Sequence, residues 1–225
     1  MYDAGLVMTH YRIRYGIFLL TLSLIIMQHA SAEDKGQAPF MEGSLGFFTT
    51  QSESSDAQYN SSGIATTAFI YRLGVPILNY YAVEFVLGTG ITGEDSPMGE
   101  MGINSLLGAD FKASYPFGKG FEGFVRGGLA RMAIDLTDIT IPNTNSRRDI
   151  YNGFGVTVGI GGVYDMGKYG RIFLEYQRMP DVDLDIDWTI VDDTNPEAPV
   201  TTTGTVNIGT QTSGVALGYQ FFIRN

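Results

Sequence analysis

The stretch Asp181-Val182-Asp183-Leu184-Asp185-Ile186-Asp187-Trp188 places four carboxylates at every second position. In an extended chain that spacing puts them on one face, with Val182, Leu184, Ile186 and Trp188 on the other. Carboxylates side by side repel one another and attract a hard cation such as calcium. The spacing is not that of an EF-hand loop, because the glycine and the terminal glutamate are missing. Asp181, Asp183, Asp185 and Asp187 are thus a candidate cation-binding rim, and a solvated acidic rim is the plainer reading.

A second set is scattered along the chain. Arg72, Glu84, Asp110, Lys112, Glu122, Arg126, Arg171 and Glu175 each stand on the less apolar face of an alternating segment. Four are basic and four acidic. Gathered in a narrow interior they must pair, since a stranded buried charge costs several kcal/mol. A structural ion-pair network is the expectation, and a narrow conduction path gated by these pairs is the alternative.

Nucleophilic and metal chemistry is poorly served. Cysteine is absent, and the two histidines, His10 and His29, both lie near the N-terminus. The rest of the chain therefore lacks the commonest general base and metal ligand. A carboxylate-only mechanism has no motif to support it, and Ser54, Ser55, Ser61 and Ser62 read as loop residues. No cofactor motif is present. The expectation is a protein without catalytic residues, confident metal ligands or cofactors.

Residues 1–32 read as a secretory signal. Arg12 and Arg14 precede an apolar run from Gly16 to Met27, and Ala30-Ser31-Ala32 is a small-x-small cleavage site. The run is shorter than the roughly 20 residues a spanning helix needs. Cleavage after Ala32, following export through the Sec route, would leave residues 33–225 as one domain. Met8 is an alternative start. Of the 24 acidic and 14 basic residues, Asp3, Arg12 and Arg14 lie in the signal; the remaining 23 and 12 give a formal charge of −11. That balance opposes nucleic-acid binding, which needs a basic footprint.

Eight alternating segments carry the charged residues. They run from Phe40 to Thr50, Gly63 to Leu73, Tyr80 to Thr92, Gly102 to Tyr115, Phe121 to Thr137, Tyr151 to Tyr164, from Arg171 onward, and from Thr205 to Phe222. In the third, Tyr81, Val83, Phe85, Leu87 and Ile91 oppose Ala82, Glu84, Gly88 and Gly90, the two-residue beat of a strand. In the fifth, Arg131 falls out of phase, which predicts a bulge or emergence from a bilayer near it. The seventh is expected to continue through Met179-Pro180 into the aspartate stretch with its apolar face unchanged. Turns at Val75-Pro76-Ile77, Pro116 to Gly120 and Asp165 to Gly170 are short. The other connections are longer and more polar. Lipid cannot satisfy free backbone groups, so strands crossing it must close into a barrel.

Gly214-Val215-Ala216-Leu217-Gly218-Tyr219-Gln220-Phe221 ends this rhythm, with Tyr219 and Phe221 spaced as membrane-interface anchors. With the signal, strand rhythm and loop asymmetry, the chain resembles the small outer-membrane β-barrels of the OmpA/OmpX type, the group described as porin family, outer membrane beta-barrel domain. Chains of that family usually stop at the terminal aromatic; here Phe222, Ile223, Arg224 and Asn225 follow. The resemblance covers nearly all of residues 33–225. It implies an all-β, eight-stranded antiparallel up-and-down transmembrane barrel in the cell outer membrane. Short turns and both termini would lie on the periplasmic side, and longer loops outside.

The partners then implied are outer-membrane lipid, lipopolysaccharide and the barrel-assembly machinery, for a protein that stays monomeric. Arg178, near the outer boundary, is a candidate for lipopolysaccharide phosphate; Arg147 and Arg148 read as loop charges. Barrel enzymes that use serine or aspartate with histidine have no counterpart residues here. The leading functional reading is a structural or loop-presenting barrel. A small passive pore, a lipid-modifying enzyme and a secreted lipocalin-like ligand binder are its rivals.

Overall fold

The computed structural model describes residues 38–140, 148–192 and 200–223. The signal expected at 1–32 and Arg147 lie outside them. Nine strands form one antiparallel sheet: β1 (Phe40–Ser54), β2 (Ser61–Leu78), β3 (Tyr81–Ser96), β4 (Gly99–Gly118), β5 (Phe121–Thr137), β6 (Arg148–Asp165), β7 (Arg171–Arg178), β8 (Val182–Asp192) and β9 (Val200–Phe222). Each pairs with its predecessor from β1 to β7, β9 pairs with both β7 and β8, and β1 closes the ring on β9 from Phe40↔Phe222 to Ser54↔Ile208. β7 and β8 share one place in the ring, so nine strands make an eight-position up-and-down barrel.

Alternation explains the outside. Leu45, Phe69, Phe85, Leu107, Leu129, Val158, Leu174 and Leu217 are exposed and form an apolar belt around the sheet. A soluble barrel would turn this face inward; here it faces lipid. The lipocalin-like alternative fails on this parity. At the end with short turns the belt finishes in aromatic rings: Tyr81 stacks on Phe111 at 5.5 Å, Phe121 lies tilted against Tyr164 at 4.8 Å, and Tyr219 lies 5.9 Å from Phe221. Such girdles suit the membrane–water interface. At the other end Arg131 is exposed and donates to Asn152 Oδ1 at 2.9 Å. Arg131 shares the outward face of Val125 and Leu129, a charge on the apolar side of the strand, which is the break in phase that the sequence shows. The β5–β6 ladder passes it unbroken, and the irregularity lies across on β4 between Ile103 and Ser105. Arg131 therefore marks emergence from the bilayer.

Prolines sit where the ladder gives way. β2 runs past the turn expected at Val75-Pro76-Ile77 and reverses at Asn79-Tyr80; the register shifts between Pro76 and Leu78, and again between Pro116 and Gly118. Proline lacks the N–H that a regular ladder needs. The third case changes the architecture. Met179 still donates its N–H to Thr212 O in the β7 register, but Val182 pairs with Thr210. Three steps on one strand match two on the other, so Pro180-Asp181 forms a bulge opposite Gln211. The extra residue flips the parity. Val182, Leu184 and Ile186 point inward and are buried, while the aspartates point out. The expectation that the apolar face of the seventh strand continues outward is overturned.

The same bulge ends closure. β6 pairs with β7 only from Val158↔Arg178 downward, and among the described residues no ladder joins its outer half to β8. β8 instead leans over the inner face of β6. A Cβ on Gly153 would lie 2.1 Å from Asp181 O and 2.8 Å from Val182 Cγ2, so only glycine admits this approach.

Candidate functional site

The interior has two unlike halves. In the periplasmic half, strand register brings charges to one level: Glu42 faces Arg72 across β1–β2, Glu84 faces Asp110 across β3–β4, and Lys112 faces Arg126 across β4–β5. Glu42 is the hub. Lys112 Nζ donates to its Oε1 at 2.8 Å and Arg126 Nη2 to its Oε2 at 2.5 Å. Arg126 Nη1 donates to Glu175 Oε2 at 2.7 Å, and its Nε lies 2.9 Å from Glu84 Oε2. Arg72 donates through Nη2 to Gln177 Oε1 at 2.6 Å, and its Nη1 lies 3.4 Å from Glu175 Oε2. Asp110 accepts from Thr157 Oγ1 and lies 3.9 Å from Arg72 Nε. All seven charged residues are buried.

Aromatic faces close the cluster. Lys112 Nζ lies 5.1 Å from the Phe40 ring and 4.7 Å from Phe124, and the Arg126 guanidinium lies 4.5 Å from Phe124. A cation over a desolvated ring gains further attraction. β6 leaves room by offering glycine at this level: a Cβ on Gly159 would lie 2.2 Å from Glu175 Oε1.

Six of the eight predicted lumen residues therefore meet: Arg72, Glu84, Asp110, Lys112, Arg126 and Glu175. Glu122 and Arg171 do not. They form a separate, partly exposed pair at the periplasmic mouth, 3.1 Å apart, with Asp165 Oδ2 3.4 Å from Arg171 Nε. The expected four-to-four balance also changes. The central set has four carboxylates, Glu42 included, against three cations. The sequence reading missed Glu42, although Met41, Gly43, Leu45 and Phe47 alternate with it and place it inside.

The extracellular half of the lumen is mainly apolar, with the buried hydroxyls of Thr50, Ser52, Thr66, Thr210 and Thr212 on its β1, β2 and β9 side. Met101, Met132, Leu136, Leu184, Ile186 and Ile208 pack in one buried cluster. Loops complete it from above: Tyr59 from the β1–β2 connection and Met98 from the β3–β4 tip are buried in it, and Ile139 packs against it. Ser52 Oγ donates to Tyr59 O at 3.0 Å, and Thr140 N–H to Met98 O at 2.8 Å, which pins these caps.

The predicted acidic rim is on the outer face of β8. Asp181, Asp183, Asp185 and Asp187 are exposed. Arg178 Nη2 holds Asp181 Oδ2 at 3.2 Å, and Thr205 Oγ1 donates to Asp187 Oδ1 at 2.7 Å. Among the described residues no three acidic or histidine side chains converge to hold a metal ion. Near the rim, Tyr151 on β6 has its phenol pushed up to about 12, first by burial and then by the carboxylates of Asp149, Asp187 and Asp185. Arg148 pairs with Asp135 on the adjacent strand. Tyr219 and Phe221 lie on the outer side of β9, within the periplasmic girdle.

Fold, belt and girdle define the class: a small outer-membrane β-barrel, spanning the bacterial outer membrane. No family model and no curated protein matches the chain. Solved structures of such barrels do. The outer membrane protein OprG from Pseudomonas aeruginosa shares 12% identity over 84% of this chain and 98% of its own, with a TM-score of 0.50. AlkL, solved in DMPC lipid bilayers, shares 14% over 87% and 96%, with a TM-score of 0.48. Ail of Yersinia pestis shares 12% over 82% and 99%, with a TM-score of 0.40. At such identities the likeness is one of fold.

Proposed function

We propose that this chain is a non-catalytic outer-membrane barrel whose work is done by its outer surface, supporting the envelope and presenting its loops and the β8–β9 hairpin. The observation that carries this reading is the filled lumen. An ion-pair layer and an apolar layer lie in series, and the second is capped by Tyr59 and Met98. An eight-position barrel has little more interior than its own side chains fill. Water and ions would have to pass a packed cluster of methionine, leucine and isoleucine. The charged groups that acid–base chemistry would use are committed to one another, and residues 33–225 contain no histidine.

Its immediate partners on this reading are outer-membrane lipid and lipopolysaccharide. Arg131 and Arg178 stand exposed at the outer edge of the belt, where guanidinium suits phosphate. The Tyr219-Gln220-Phe221 end is the segment offered to the barrel-assembly machinery, and the barrel works as a monomer.

The test is current through planar bilayers holding the refolded barrel, with folding checked by the gel shift between unboiled and boiled samples. A folded barrel that carries no discrete channel current supports the reading. Steady single-channel steps, altered by Arg126→Gln, would replace it with a pore.

A further inference from the structure

The β8–β9 hairpin outgrows the barrel. β1 pairs with β9 only as far as Ser54↔Ile208, whereas β9 pairs with β8 from Thr210 up to Val200. Along residues 200–206, therefore, the β1-side edge of β9 has no strand partner among the described residues. Among the described residues Asn207 O is the last group occupied on that side, accepting from Ser54 Oγ at 3.1 Å. Backbone groups alternate sides along a strand. Thr201, Thr203 and Thr205 share the parity of Asn207, so each turns its N–H and C=O to the open side. All three are exposed. Threonine favours extended backbone, so the edge is a ready template for another strand.

The surroundings specify what would fit. Asp185 and Asp187 lie across β9 on the outer face, opposite Asn207 and Thr205. Glu53 and Asp183 flank Gly209 at the foot of the edge, where a cleft of about 220 Å³ also touches Asp181. Among the described residues the nearby arginines are engaged, Arg178 with Asp181 and Arg148 with Asp135. A second copy of this acidic hairpin would be repelled.

We infer that the open edge of β9 binds an extended basic polypeptide by strand addition. The backbone of the guest pairs with Thr201, Thr203 and Thr205, and its lysines or arginines, at alternate positions, lie along the aspartate face. This mode takes affinity from main-chain hydrogen bonds and specificity from alternate side chains. The inference rests on the surface-presenting role proposed above and names the chemistry of the partner.

The experiment uses the refolded barrel in lipid nanodiscs and three labelled peptides: alternating lysine–threonine, alternating glutamate–threonine, and alternating lysine–threonine N-methylated at every residue. The last keeps the charge and removes the backbone donors on both edges of the guest. Lysine–threonine binding at least about tenfold tighter than either other peptide is expected, a margin worth one or two hydrogen bonds. Thr203→Pro, which removes one edge donor, should bring lysine–threonine down towards the level of the N-methylated peptide. The double variant Asp185→Asn with Asp187→Asn leaves the edge intact and should weaken binding several-fold, more so at low salt. Equal binding of the two lysine peptides means charge attraction alone and overturns the inference, as does no binding or equal binding of the glutamate peptide. A barrel that conducts current fails the functional reading whatever the peptides do. One that is silent in bilayers and binds none of them fails this inference alone.

Discussion

Glu42 and Glu84 are both buried glutamates in one cluster, but their positions differ. Glu42 accepts hydrogen bonds from two cations, Lys112 and Arg126, whereas neither oxygen of Glu84 has a well-directed donor among the described residues. Removing one partner of a buried pair leaves the other charge uncompensated. Glu42→Gln should therefore destabilise the barrel by about 3–5 kcal/mol, by analogy with other broken buried pairs. Glu84→Gln brings four carboxylates down to three against three cations, and should change stability by less than about 1 kcal/mol, since a neutral amide needs less solvation than a charge. Urea titration of the folded fraction in lipid vesicles compares them; a larger loss for Glu84→Gln would refute the assignment of Glu42 as the hub. Tyr151 is the residue whose ionisation matters outside the membrane. Its pKa is about 12 in the folded protein, above the ordinary 10.0. Below pH 10 both states hold the proton, and the stabilising difference is fully present. As pH rises from 10 towards 12 the unfolded chain releases a proton that the folded one keeps, so stability falls across that window. Tyr151→Phe should flatten the decline in that window, read as the change in unfolding midpoint between pH 9.5 and pH 12.

The elements were legible wherever alternation persisted. Strands β2 to β6 stand close to where the beat puts them, because one face meets lipid along most of their length and each slip would bury or expose a whole side. The aspartate segment was not. Its pattern is as regular as any other, but which face turns inward depends on the residues opposite Pro180-Asp181, and pairing is a non-local fact. The only local sign was the proline, which hints at a bulge without saying how many residues it holds. Once the bulge is known, β8 makes a sharp prediction. Leu184 is buried in the outer core and Asp183 is exposed on the other face. Leu184→Ala should cost about 2–5 kcal/mol by opening a cavity, and Asp183→Ala about 0.5 kcal/mol or less. The unflipped register would give the reverse order, so urea midpoints for the two variants decide between them. Charged lumen residues were legible by the same beat, and Glu42 was lost only because no inner face was assigned to the first strand.

At the scale of the whole molecule the plane through Arg131 and Arg178 divides two solvent regimes. Below it the ring is complete, as lipid demands of every backbone group. Above it closure is incomplete: β6 and β8 run side by side without a ladder, and the apolar interior, rather than hydrogen bonding, holds the outer half together. A sequence cannot show this division directly, because alternation reports which faces are greasy and not which edges are joined. Amide exchange can. On β8, Met179 and Thr212 fix the hydrogen-bonding parity below the bulge, and the β8–β9 register carries it upward. Val182, Leu184 and Ile186 turn their N–H groups to β9, and Asp183, Asp185 and Asp187 turn theirs to the β6 side. Exchange read residue by residue in nanodiscs should then alternate along β8, fast at the aspartates and slow at their neighbours. Amides of β4 and β5 beside the ion cluster should be protected without alternation, since both their edges are paired. Uniform protection along β8 would mean that β6 and β8 are joined in the membrane, and that the barrel is closed to its outer rim.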